Sequence, residues 1–222
     1  MLARPLENLA AYDLWAESYP PIPHNPLMRA EQSAMLAHLP AVEGVRALDL
    51  ASGTGRYADI LRTQGAAVVS LDYSMEMLRR SSAGVRLRAD MLKLPFVSDA
   101  FGAVVSGLAV GHAPDLSRWM REIARVMSAN GTLLYSDFHP AAAAAGMTRT
   151  FTDADNRKHT LAHHPHALEA HRDAAERTGL VVEYIHEVRV GIEMQEDFPG
   201  AEAFYRRWSG LPVVLVVRAR KQ

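Results

Sequence analysis

Asp49, Gly53, Gly55 and Asp72 are the residues of this chain whose types and spacing could do chemistry. Asp49 lies in an apolar run, Ala47-Leu48-Asp49-Leu50, which leads into Ala51-Ser52-Gly53-Thr54-Gly55-Arg56-Tyr57. Asp72 closes the next apolar run, Val68-Val69-Ser70-Leu71. A turn without side chains lets a ligand approach the backbone closely, and an acid at the tip of a second strand can accept hydrogen bonds from a ribose. Together they predict a site for a small nucleoside cofactor. Gly53-Thr54-Gly55-Arg56-Tyr57-Ala58 also fits G-x-G-x-x-A, the dinucleotide pattern. A pyrophosphate rests on a helix N-terminus because amides and dipole favour an anion there. Asp49 would set a second negative charge beside it. A sulfonium ligand that also carries an ammonium has the opposite need. The charges therefore favour S-adenosylmethionine over a nicotinamide dinucleotide. An NAD(P)-dependent oxidoreductase stays the competing reading, beside a protein that binds S-adenosylmethionine without turnover.

These residues need a frame that holds two strand ends side by side. From residue 45 the pattern alternates strands (45–50, 67–71, 85–89, 102–106, 131–137, 181–189, 212–219) with helices (56–64, 74–81, 115–128, 166–179). Ser74 and Asp115 suit N-caps, and Gly179 a helix end. Alternation of this kind implies a parallel sheet covered on both faces. The connection 190–211 has room for one short helix, 200–208, so the last strands form an antiparallel pair. The expected fold is α/β: a Rossmann-like three-layer sandwich with a mostly parallel seven-stranded sheet, an antiparallel C-terminal strand and an N-terminal helical lid. Residues 1–40 form that lid, where Tyr12, Trp15 and Tyr19 fall at helical spacing before Pro20 and a further helix covers 27–39. Residues 41–222 form the main domain. Within it, 139–165 break the rhythm at the sheet edge where ligands bind, and read as a cap containing a hairpin around 151–158.

The chain has 222 residues, 49% of them hydrophobic, a net charge of −1 and no cysteine. One domain with a cap suits this length. No disulfide, thiolate metal site or cysteine nucleophile is possible. No strong basic field is present to hold nucleic acid, and no apolar run is long enough to span a membrane. A cytoplasmic protein is expected, as a monomer or homodimer.

Five segments, in order, resemble motifs of class I methyltransferases that use S-adenosylmethionine: 47–57, 70–78, 89–96, 101–106 and 125–133. The likeness is to the subgroup that includes ubiquinone/menaquinone-type enzymes and the malonyl-carrier-protein methyl ester enzyme. Ala11 to Tyr19 also resembles the N-terminal segment that folds over the cofactor in that subgroup. Ala51-Ser52 stands where Gly-Cys is usual, and Asn130 where glycine is usual. The resemblance implies residue roles. The backbone at Ala51, Gly53 and Gly55 would approach the methionine part, and Asp49 would orient its ammonium. Asp72 would accept the ribose hydroxyls, with Tyr73 and Met77 flanking adenine. Asp90 would accept from the adenine amino group while the Met91 amide donates to a ring nitrogen. The backbone near Ser106 and Gly107 would lie by the ammonium, and Tyr19 would touch the methionine carboxylate.

The expected reaction is methyl transfer to a small-molecule acceptor at oxygen, either carboxylate or hydroxyl. A hydroxyl acceptor benefits from a base near neutral pH, and histidine suits that task. His112, after the fourth strand, and His139, after the fifth, are the best-placed candidates. Seven of the ten histidines fall between 139 and 186, but their spacing supports no metal site.

Overall fold

The computed structural model describes residues 7–82, 84–195 and 198–222; the first six residues of the expected lid lie outside them. Two helices lead, α1 (Asn8–Trp15) and α2 (Pro26–Ala37). The alternating part follows as β1 (Arg46–Leu50), α3 (Arg56–Thr63), β2 (Ala67–Asp72), α4 (Met75–Arg80), β3 (Val85–Arg88), β4 (Phe101–Ser106), α5 (Leu116–Val126) and β5 (Met127–Phe138). After it come α6 (Pro140–Ala144), β6 (Thr150–Thr152), β7 (Lys158–Thr160), α7 (Leu168–Glu176), β8 (Leu180–Arg189), α8 (Ala201–Trp208) and β9 (Pro212–Lys221).

Seven strands form one sheet in the order β3-β2-β1-β4-β5-β9-β8, and β6 pairs with β7 in a separate hairpin. Strands β1 to β5 pair in parallel, while β9 runs antiparallel to both β5 and β8. This is the expected fold class. Strand order reverses between β1 and β4, so their carboxyl ends diverge and leave a crevice there.

Local sequence explains the helices that frame the crevice. Ser74 caps α4 by accepting from the Met77 amide at 3.1 Å, and Asp115 caps α5 through Arg118 at 2.9 Å. Helix α5 buries Leu116, Trp119, Met120 and Ile123, the spacing of a single apolar stripe. It stops at Val126, two residues before the expected end, because Met127 already pairs with Phe101 across the sheet. Asn130 holds φ +61° just inside β5, a conformation that asparagine tolerates.

The N-terminal helices differ from a uniform lid. Helix α2 is a core helix: Glu31 and Met35 are fully buried, and Met35 packs in the same cluster as Tyr57, Leu61 and Val105. Helix α1 packs instead against the hairpin, where Ala11, Tyr12 and Trp15 meet Phe151 and Leu161. It ends at Trp15, so Tyr19 lies beyond the helix rather than on its stripe.

Candidate functional site

The crevice opens into one cavity of about 910 Å³, walled by the carboxyl ends of β1, β2 and β4, by α1 and by the segment 146–161. The glycine turn is built from left-handed residues. Gly53 holds φ +55° and Gly55 +88°, and Ala51 also holds +55°. The Ala51 position needs left-handed backbone more than it needs a small side chain, so alanine carries strain there. Gly55 does not line the cavity; a Cβ on it would lie 2.3 Å from Ser81 Oγ, so its role is close packing.

Asp49 is 1% exposed at the cavity wall, and its Oδ2 accepts the Ala58 amide at 2.8 Å in the first turn of α3. Burial pushes its carboxyl up to about 7, against the pull of that amide and of Arg56. Asp72 accepts from the amides of Gly53 (2.7 Å) and Ser74 (2.8 Å), which lock the turn to the tip of β2. Burial raises its pKa as well. Tyr73, Met77, Asp90, Met91 and Gly107 line the same end of the cavity, and Asp90 Oδ1 accepts the Leu92 amide at 2.8 Å. Gly107 has no room for a side chain: a Cβ would sit 2.3 Å from the Tyr57 ring. Tyr19 also lines the cavity, packed against Trp15 with ring centroids 4.6 Å apart, and burial pushes its hydroxyl up to about 12.

Two of the expected residues do not line the cavity themselves. The Ser106 hydroxyl donates to the Leu50 carbonyl at 2.9 Å inside the sheet, while the backbone next to it, at Gly107, does line the cavity. His139 is the second. Pro140 starts α6, so His139 becomes its N-cap: Nδ1 accepts the Ala141 amide at 3.1 Å and Nε2 meets Glu187 at 3.0 Å. Both ring nitrogens of His139 are thus engaged away from the cavity.

His112 lines the cavity from the turn after β4. Its Nδ1 lies 3.2 Å from the Ala162 carbonyl, which can only accept, and its Nε2 lies 3.1 Å from Arg149 Nη1, which can only donate. The proton therefore sits on Nδ1 and the lone pair on Nε2. Asn8 Nδ2, 2.9 Å from Nδ1, fits this tautomer only with its amide turned over. That turn also gives a partner to Asn8 Oδ1, which is otherwise buried without one. Burial and the Arg149 charge hold His112 well below the usual imidazole range, so it is neutral. Tyr12 completes the group, its hydroxyl 2.8 Å from Nε2.

The sequence did not single out two contributors. Glu31, fully buried, accepts from Arg56 (2.8 Å), Tyr57 (2.7 Å) and Ser136 (2.6 Å), tying α2 to the glycine turn and to β5. Its signal was an acid on the apolar stripe of Met28 and Met35. Arg149 precedes β6, and no local pattern marks it. Among the described residues no three histidine, cysteine or carboxylate side chains are grouped to hold a metal ion. No described helix is long and apolar enough to cross a membrane.

A family model described as a methyltransferase domain matches residues 48–135, which contain most of β1, all of β2 to β4 and most of β5. A solved S-adenosylmethionine-dependent methyltransferase from Mesorhizobium loti superposes with a TM-score of 0.71 at 27% identity, over 86% of this chain and 98% of that one. Residues 48–135 carry a methyltransferase domain, and the matches support a class I S-adenosylmethionine-dependent methyltransferase. Curated members of the family match it over their shared half. The malonyl-[acyl-carrier protein] O-methyltransferase of Enterobacter lignolyticus is 33% identical over 117 residues, covering 51% of this chain and 47% of that protein. The demethylmenaquinone methyltransferase of Thermobifida fusca is 34% identical over 116 residues, covering 48% and 49%. The chain spans about half the length of these curated relatives. S-adenosylmethionine is the family's cofactor, and the residues at the cavity's acidic end fit it. Ser52 Oγ and Thr54 Oγ1 line the cavity and are buried without a hydrogen-bond partner, beside a turn with no side-chain bulk at Gly53. Polar atoms left in this state await a ligand or water.

Proposed function

We propose that this protein transfers a methyl group from S-adenosylmethionine to an oxygen of a small-molecule acceptor. The observation that carries the reading is a single cavity lined both by Asp49, Asp72 and the glycine turn and by His112, Tyr12 and Arg149. When bound, the cofactor supplies an electrophilic methyl on a sulfonium and leaves as a neutral thioether.

The chain's own residues have four tasks. Asp49 and Asp72 would hold the cationic and ribose parts, in the roles the family resemblance assigns them. Trp15, Met147 and Leu161 wall the acceptor end with apolar surface that excludes water and fixes the approach of the acceptor oxygen. The acceptor oxygen's lone pair forms the new carbon–oxygen bond. For a hydroxyl acceptor, His112 Nε2 takes the released proton, since its lone pair faces the cavity side held by Tyr12 and Arg149. A carboxylate acceptor releases none. Positioning supplies most of the rate in either case.

The test is release of S-adenosylhomocysteine from purified protein offered small acids, phenols and quinols, after calorimetry with S-adenosylmethionine. Cofactor binding with product release from one acceptor class is expected. Absence of cofactor binding refutes the reading. With a hydroxyl acceptor, His112→Gln should lower turnover by about 10²-fold or more with little change in cofactor affinity.

A further inference from the structure

The charged groups of the cavity are sorted by sign. Among the described residues, the carboxylates that line it are Asp49, Asp72 and Asp90, on or just after β1, β2 and β3. The cations are Arg56, Arg149, Lys158 and Arg207. Arg56 is spoken for by the buried Glu31 at 2.8 Å. The other three come from the segment before β6, from β7 and from α8, on the opposite half of the sheet edge. Among the described residues, no carboxylate lines that half.

Arg149 is the half-buried member of the three. Its guanidinium makes two contacts, both to neutral groups: Nη1 with His112 Nε2 at 3.1 Å, and Nη2 donating to the Tyr12 hydroxyl at 3.4 Å. Asp137 feels its charge from beneath but makes no ion pair with it among the described residues. A cation held partly out of water by neutral acceptors gains most from an anion that can meet two of its N–H groups. Around it the wall is apolar and aromatic, with Trp15, Met147, Leu161 and Trp208.

We propose that Arg149, with the Tyr12 hydroxyl beside it, is a carboxylate-binding subsite, and that the acceptor is a small organic acid with an apolar or aromatic body. The inference rests on the methyl-transfer reading and deepens it by naming the acceptor's chemical class. A carboxylate matches the planar fork of one guanidinium in a bidentate pair, whereas a phosphate dianion would call for further donors at the same depth. Lys158 and Arg207 are exposed at the rim and attract the same ligand from a distance without seating it.

The test uses benzoate, phenylacetate and hexanoate, each beside its primary amide, titrated into the full chain with and without saturating S-adenosylhomocysteine. At least one acid should bind about tenfold tighter than its amide. Arg149→Gln should bring acid and amide to the same affinity while S-adenosylhomocysteine affinity stays within about threefold. Arg149→Lys, which keeps the charge and loses the fork, should keep part of the preference; it carries the test if the glutamine variant fails to fold. Equal binding of every acid and its amide to the unaltered protein overturns the proposal. So does a preference that survives Arg149→Gln, or displacement of the acid by an equal concentration of inorganic phosphate. Failure of S-adenosylhomocysteine to bind is a separate result that counts against the methyl-transfer reading.

Discussion

Cofactor affinity should depend on pH through Asp49. Burial lifts this carboxyl to about 7, so in the ligand-free protein it titrates across the physiological range. A sulfonium and an ammonium need it ionised. With that value, its ionised share falls from about 76% at pH 7.5 to about 9% at pH 6. The dissociation constant of S-adenosylmethionine should then weaken about eightfold over this interval, roughly 1.2 kcal/mol. Stability of the ligand-free protein should move the other way. A carboxyl whose folded pKa is raised contributes stability that is complete below its unfolded value, near 4, and lost as pH rises through about 7. Acidification from 7.5 to 6 should therefore raise the melting temperature of the free protein and shrink the shift caused by cofactor. Calorimetry in two buffers of different ionisation enthalpy should find close to one proton released per cofactor bound at pH 6. Asp49→Asn, whose Oδ1 can still accept the Ala58 amide, should bind weakly with a flat profile. A pH-independent constant in the unaltered protein refutes the reasoning. The same slope in Asp49→Asn also refutes it, by assigning the titration to Asp72.

Glu31→Gln leaves Arg56 without its buried counter-ion and should cost about 3 kcal/mol in chemical denaturation, with looser cofactor binding because Arg56 and Tyr57 line the cavity. Gly107→Ala drives a Cβ into the Tyr57 ring and should cost about 1–3 kcal/mol, read as a lower melting temperature and weaker S-adenosylhomocysteine binding. Ala51→Gly relieves a left-handed alanine of about 1–2 kcal/mol, part of it offset by the freer unfolded chain, so a gain of up to about 1 kcal/mol is expected in the same denaturation assay.

What the sequence made legible was local. The run from Ala47 to Tyr57 states its own strand, turn and helix, because glycine conformation and apolar patterning act over a few residues. The caps at Ser74 and Asp115 are equally local. The errors lie where a side chain's direction depends on a distant element. His139 follows the correct strand, but the proline after it starts a helix, and Glu187, 48 residues on, takes the remaining ring nitrogen. Ala51 was legible as small, while its left-handed φ was not. Arg149 meets His112 and Tyr12 only through the packing of the hairpin on α1, and nothing in residues 146–150 foretells that.

The contact between Arg149 and His112 places a cation 3.1 Å from Nε2 of the histidine that lines the cavity. That arrangement makes His112 a poor base in the empty site, since a proton on Nε2 would face the guanidinium across a short gap. On the proposed reading, an anion seated on Arg149 would cancel this field and compete for the same N–H groups, which would free the Nε2 lone pair. With a hydroxyl acid as acceptor, a base suppressed until that acid arrives would guard against idle protonation of the empty site and couple acceptor recognition to acceptor activation through one side chain. The acids at the other end have a different logic. A sulfonium loses its charge as the methyl leaves, so close pairing of these acids with the sulfur would hold back the reaction. Asp49 and Asp72 both spend hydrogen-bonding capacity on the amides of the glycine turn and the neighbouring helix starts. Such acids anchor the parts of a ligand whose charge does not change, and leave the sulfur free to lose its own.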